Sequence, residues 1–229
     1  MIELDGATLE GGGQILRTAV ALSAVTKKPC HVFNIRKNRP KPGLMPQHLL
    51  GIQTLAQLCN GRLEGDFLGS EEIKFYPGEI IAKDLHIRIA TAGSITLCLQ
   101  SLLPVALFAP TPIKVSFEGG GTDVPFSPTM DFFCFIFLKI LEKMGGKAEI
   151  EILKRGYFPE GGGRIVVRAF PSKLKSINII ERGNLKKILA ISRVSESLKN
   201  KKVAERQLMG MRAVLGKLKL PIEERIEYA

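Results

Sequence analysis

Lys28-Pro29-Cys30-His31-Val32-Phe33-Asn34-Ile35 and Thr111-Pro112-Ile113-Lys114-Val115-Ser116-Phe117 follow one pattern, a polar residue and a proline leading into alternating apolar positions. Period-two alternation behind a proline predicts strands over 30–35 and 113–117. Upstream of each lies an apolar run of helical length, 15–25 and 94–108. Downstream of each comes a loop rich in Gly and Pro, 36–46 and 119–128, and then a second helical stretch. The first of these, 47–59, sets Leu49, Ile52, Leu55, Ala56 and Cys59 at helical spacing; the second, 131–144, is strongly apolar. Asn60-Gly61 and Gly145-Gly146 close them, as helix C-termini favour. Short strands are expected next at 62–64 and 73–76, and at 147–153 and 164–169. Pro29 and Pro112 are 83 residues apart and Gly61 and Gly146 are 85 apart, so the chain contains a duplicated unit.

Each unit is expected to lay two helices on one face of a four-stranded sheet, an α/β fold of the α+β type. The helical faces of neighbouring units then bury one another. The organisation read from the sequence is a first unit at 1–78, a second at 79–175, and the start of a basic inserted α/β domain at 176–229. In that last segment strands are expected at 177–181 and 187–192 and a helix at 203–217. A third unit would complete the packing, and the sequence reads as a fragment that stops before it.

The 229 residues are 45% hydrophobic without Trp, so Leu, Ile and Val supply a core large enough for a sizeable domain. The N-terminus lacks signal-peptide character. The longest apolar stretch, 95–110, is interrupted by Gln100 and Pro104 and is too short to span a bilayer. A cytoplasmic protein is expected. Cys30, Cys59, Cys98 and Cys134 form no C-x-x-C pair and read as buried hydrophobes in a reducing compartment. Of the net +11, the segment 182–219 carries eleven Lys or Arg against Glu196 and Glu205, a local +9. Such clustering suits a polyanion, although a solvated lysine-rich face reads the same way.

Three segments combine Gly with functional groups. In Leu9-Glu10-Gly11-Gly12-Gly13-Gln14-Ile15-Leu16-Arg17, the glycines permit close backbone approach, and open N–H groups at a helix start suit phosphate. Glu10 can hold a divalent metal beside that phosphate, and Arg17, one turn in, can reach the same anion. A tight strand-to-helix turn with a surface Glu and Arg reads equally well. The second segment sets Arg36, Lys37, Arg39 and Lys41 on a proline-stiffened loop ahead of Gln47 and His48, where an imidazole can donate to a phosphate oxygen. The third joins Ala92-Gly93-Ser94 and Gln100 to Gly119-Gly120-Gly121-Thr122-Asp123, Pro125, Pro128 and Asp131. Gln100 needs a partner inside its apolar helix. The prolines form either a wall for a base or a turn before a helix capped by Ser127 or Asp131. Tyr157 to Gly163 reads as a hairpin turn.

Together these motifs resemble the RNA 3′-terminal phosphate cyclase family, in its catalytic branch. The match runs in order through Asp5-Gly6, Glu10 to Arg17, Lys41-Pro42-Gly43-Leu44, Gln47-His48-Leu49, Ala92-Gly93-Ser94, Gln100, Gly120-Gly121-Thr122-Asp123 and Gly156 to Gly163. The resemblance implies ATP and a divalent metal, Mg or Mn, and an RNA partner with a 3′-terminal phosphate. An enzyme histidine is adenylylated, AMP passes to the RNA phosphate, and the neighbouring 2′-hydroxyl closes a 2′,3′-cyclic phosphate. By position, Glu10 resembles the metal-associated carboxylate. Arg17, Arg36, Arg39, Gln47 and His48 resemble phosphate-handling groups, with Glu10, Arg17 and His48 the catalytic ones. Gln100 resembles a nucleotide contact, and Pro128, with Phe132 close by, a wall of the adenine site. The family's nucleophilic histidine lies in a segment this sequence does not contain, so the chain is expected not to form enzyme–AMP. Two other readings stand beside this one: a non-catalytic cyclase-like RNA-binding protein of ribosome assembly, and an enolpyruvyl-type transferase built on the same unit.

Overall fold

The computed structural model describes residues 1–228. Its first sheet contains β1 (Ile2–Asp5), β2 (Cys30–Phe33), β3 (Arg62–Glu64) and β4 (Ile73–Tyr76), in the order β1-β2-β4-β3. The second contains β5 (Leu85–Ser94), β6 (Ile113–Gly121), β7 (Lys147–Lys154) and β8 (Arg164–Phe170), in the order β5-β6-β8-β7. In both, the first pair is parallel and the other two pairs are antiparallel. Parallel neighbours require a crossover. It is supplied by helix α1 (Gly13–Thr26) in one sheet and α3 (Ile95–Ala106) in the other. The duplication legible in the prolines and glycines is therefore a duplication of topology.

Alternation along the strands sorts charge outward and apolar groups inward. On β6, Ile113, Val115 and Phe117 are buried while Lys114 and Glu118 face solvent. On β8, Ile165, Val167 and Ala169 are buried beneath α3. Helices α1, α2 (Pro46–Leu58) and α3 pack on one another, so helices from both sheets form one layer. Leu16, Val20, Leu55, Leu58, Leu99 and Leu102 fill it. Each such side chain contributes about 1.5–3 kcal/mol by leaving water. Ser94 caps α3, its hydroxyl accepting from the Leu97 amide at 3.2 Å.

The helix expected over 131–144 is built differently. It runs through α4 (Met130–Phe132), a π-helical turn (Phe133–Phe137) and α5 (Leu138–Lys143). The Phe133 and Phe137 ring centroids lie 4.6 Å apart there. The cap is neither Ser127 nor Asp131 but Thr129, whose Oγ1 accepts from the Phe132 amide at 3.1 Å. Asp131 is instead paired with the buried Arg155 at 2.7 Å. The connection between β7 and β8 does join a hairpin, and it folds back onto β6. There the Gly120 carbonyl accepts from the Gly163 amide at 2.9 Å. A Cβ on Gly156, Gly161 or Gly163 would sit 2.3, 3.0 or 3.2 Å from that same oxygen.

A second compact unit begins at Asn178. It consists of β9 (Ile188–Val194) and β10 (Ile222–Tyr228), paired in parallel, with α6 (Val203–Leu215) packed on them. The strand expected at 177–181 does not form. Among the described residues no backbone pairs with it, and Ile179 and Ile180 are exposed. The helix expected to reach 217 gives way after Leu215 to a 3₁₀ turn, Gly216–Leu218. The cysteines form no disulfide, and Cys30, Cys59 and Cys98 are buried as expected, Cys134 partly so. Burial pushes the Cys98 thiol up to about 11. Among the described residues no helix is long and apolar enough to cross a membrane.

Candidate anion-binding site

Two helix starts meet on the helical side of the first unit. Glu10-Gly11-Gly12 leads into α1, where Gly12 is extended and supplies no side-chain cap, leaving first-turn amides open. Pro46 opens α2 and places His48 in its first turn. The two ends can touch because Gly13 has no side chain. A Cβ there would lie 2.2 Å from His48 Nε2. Between them opens a cavity of about 810 Å³.

The cavity gathers six of the residues singled out from sequence: Glu10, Arg17, Arg36, Arg39, Gln47 and His48. Three guanidiniums against one carboxylate leave it at +2 when His48 is neutral. His48 is 4% exposed, and its Nδ1 accepts from the Met45 amide at 3.3 Å. That bond assigns the ring proton to Nε2, on the side facing Gly13. Burial, reinforced by the Arg17 and Arg36 charges, holds the imidazole pKa down at about 4. At neutral pH His48 is therefore an uncharged donor.

Arg17 is the unusual cation. Burial lowers its pKa, and one terminal nitrogen donates to Gln14 Oε1 at 3.0 Å. Its Nε is buried without a hydrogen-bond partner among the described residues. An unmade bond of this kind costs about 1–3 kcal/mol or more, so the position suits an acceptor supplied by a ligand. Arg36 folds over its own loop, donating to the carbonyls of Lys41 and, at 3.1 Å, Gly43. Arg39 meets Glu10 at 3.2 Å, with Glu10 largely in solvent. These bonds fix two of the loop cations at the cavity, while Lys37 and Lys41 are not among its lining residues.

Three other residues singled out from sequence lie apart from that lining. Gln100 sits on α3 with a buried Oε1 lacking a partner among the described residues. The Pro128 carbonyl accepts from Thr96 Oγ1 at 2.7 Å, and Phe132 is about half exposed on α4. His31 and His86 belong to the sheets, with Nε2 at 3.0 Å from Glu72 and 3.1 Å from Glu118 respectively. Sequence reasoning passed over Thr91, Leu97 and Phe126, which do line the cavity. Phe126 lay inside a Pro-Phe-Ser-Pro turn, where an aromatic carries no periodic signal.

The fold and cavity define a class: duplicated sheet-and-helix units with a cationic pocket at the junction of two helix starts. Comparison with known proteins makes it specific. A family model described as RNA 3′-terminal phosphate cyclase matches residues 8–218. A protein of that name from Sulfurisphaera tokodaii is 46% identical over 96% of this chain and 64% of its own length. Another from Saccharolobus islandicus is 43% identical over 97% of this chain and 65% of its own length, and one from Sulfolobus acidocaldarius is 43% identical over 99% and 67%. The chain belongs to the RNA 3′-terminal phosphate cyclase family. It spans just under two thirds of the length of the first of these relatives.

Proposed function

We propose that this chain supplies the phosphate-holding part of an ATP-dependent, AMP-forming ligase that converts an RNA 3′-terminal phosphate to a 2′,3′-cyclic phosphate in the cytoplasm. The observation that carries the proposal is the convergence of Arg17, Arg36, Arg39, Gln47 and His48 on one cavity, with Arg17 Nε buried and unpartnered among the described residues. Guanidiniums bind phosphate oxygens through paired N–H groups and keep their charge at any physiological pH. Fixed cations around a phosphate offset the repulsion that a 2′-oxygen meets as it approaches phosphorus. His48 adds a directed hydrogen bond without adding charge. Activation as an RNA adenylate makes AMP the leaving group, which the 2′-oxygen displaces.

A divalent metal fits with one qualification of donors. Glu10 is the one carboxylate among the lining residues, and no group of three or more His, Cys, Asp or Glu side chains among the described residues could cage an ion. Glu10 would therefore hold the metal together with phosphate oxygens, and the metal, when bound, would supply further neutralisation of phosphate charge. In this proposal none of His31, His48 and His86 is the adenylylated nucleophile, since two are engaged on the sheets and the third uses its Nδ1 lone pair on the Met45 amide and packs its protonated Nε2 against Gly13.

Calorimetric titration with an RNA oligonucleotide ending in 3′-phosphate, and with the same oligonucleotide ending in 3′-hydroxyl, tests the reading. The phosphorylated end is expected to bind at least about tenfold more tightly, as charge-assisted contacts require. Equal affinities would remove the substrate assignment. Incubation with ATP labelled at the α-phosphate is expected to leave no AMP on this chain, and a stable adduct would overturn the exclusion of its three histidines.

A further inference from the structure

We propose that Phe126 is a stacking platform for the nucleobase whose phosphate is held by the arginine cluster. The inference rests on the phosphate-binding reading above and adds a specificity-determining residue to it.

Phe126 is fully exposed (104% of its reference area), and it lines the same cavity as Arg17, Arg39 and Gln47. Its backbone is in the left-handed region, φ 62°. For a bulky non-Gly residue that conformation costs free energy and persists only where the surroundings enforce it. Here they do so from both sides. Upstream, the Thr122 amide donates to the Gly156 carbonyl at 2.8 Å, and Arg155, itself buried, ties the two flanks together by holding Asp123 at 3.0 Å and, downstream, Asp131 at 2.7 Å. Downstream, Ser127 Oγ donates to the Val124 carbonyl at 2.9 Å and Thr96 Oγ1 to the Pro128 carbonyl at 2.7 Å. A loop tied this firmly can turn its apolar ring inward, yet this one presents the ring to solvent at the rim of a cationic pocket. Flat apolar rings beside phosphate ligands are how proteins hold nucleobases without reading their edges. The base can belong to ATP or to the terminal nucleotide of the RNA; the shared chemistry is a planar heterocycle in the same cavity as bound phosphate.

The test compares wild type with Phe126→Ala and Phe126→Tyr on three probes: inorganic pyrophosphate, ATP, and an oligoribonucleotide whose 3′-phosphorylated terminal residue is 2-aminopurine. Phe126→Ala is expected to weaken ATP or the oligonucleotide by about tenfold or more while pyrophosphate affinity stays the same. Phe126→Tyr, which keeps a ring, restores binding. Quenching of 2-aminopurine in the wild type but not in Phe126→Ala assigns the base to RNA; lost ATP affinity with intact quenching assigns it to ATP. Unchanged affinity for both nucleotides, or an equal loss of pyrophosphate, overturns the stacking role. If the wild type binds none of the probes, it is the phosphate-binding reading that falls.

Discussion

At the scale of single residues the pocket contains groups whose ionisation is set by burial, and two consequences can be measured. His48 has a folded pKa of about 4, below its ordinary 6.5. Between those values the unfolded chain binds a proton that the folded chain does not, so stability rises with pH across that window. The contribution is fully present above about 6.5, declines as pH falls, and levels off below about 4, a span of up to about 3 kcal/mol. Denaturant midpoints measured across this range should show the slope in wild type and lose most of it in His48→Gln. Arg17 is costly to bury, so Arg17→Met should leave thermal stability unchanged or raised while reducing phosphate affinity by about tenfold or more. A parallel loss of stability and affinity would make Arg17 a structural cation. Most of these groups were visible in sequence because a Gly triplet and a proline-stiffened loop flag unusual backbone geometry around them. Phe126 was invisible because its role depends on a left-handed backbone that neighbouring hydrogen bonds impose, and no local pattern encodes it.

Elements tell a similar story of partial legibility. Helices α1, α2 and α3 were readable because their apolar faces recur at helical spacing, and β2, β6 and β8 because burial alternates along them. Strand β1 was not, since it is a short edge strand with little burial. Strand β5 has clear alternation in Leu85, Ile87 and Ile89 but runs straight into α3 through small polar residues that blur its end. The apolar residues at 177–181 looked like a strand and are not one, because a strand exists only where a partner backbone accepts it. The packing of one helix start on another gives this scale its prediction. Gly13→Ala would set a methyl on the His48 ring, so it should displace the imidazole, lower the melting temperature and weaken pyrophosphate binding together. Retained affinity at normal stability would mean the imidazole can move aside without consequence.

For the whole molecule, charge and chain connectivity make separate predictions. With three guanidiniums lining the cavity, affinity for single-stranded RNA should fall roughly twentyfold for a fourfold rise in salt. A flat response in filter binding would make the net +11 incidental. Residues 171–187 carry no regular secondary structure and are mostly exposed, with Lys173, Lys175, Arg182 and Lys186 among them. Limited trypsin digestion should cut there first and release a fragment close to the unit Met1–Ile177. Early cleavage inside the loop at 36–46 instead would show that Arg36 and Arg39 are not held as their contacts to loop carbonyls and to Glu10 imply.

The crossing of backbones at the Gly120 carbonyl has a bearing on how this protein tolerates sequence change. Glycines from three points of a connecting loop crowd a single oxygen: a methyl at Gly156 collides with it outright, one at Gly161 adds a positive φ to a tight contact, and one at Gly163 needs that oxygen to give by a few tenths of an ångström. Substitutions at these glycines are costly individually and in combination, while the exposed lysines of the second unit accept drift freely. In a library of random variants screened for folding, survivors should therefore be sparse at Gly156, Gly161 and Gly163 and abundant between Lys199 and Lys202.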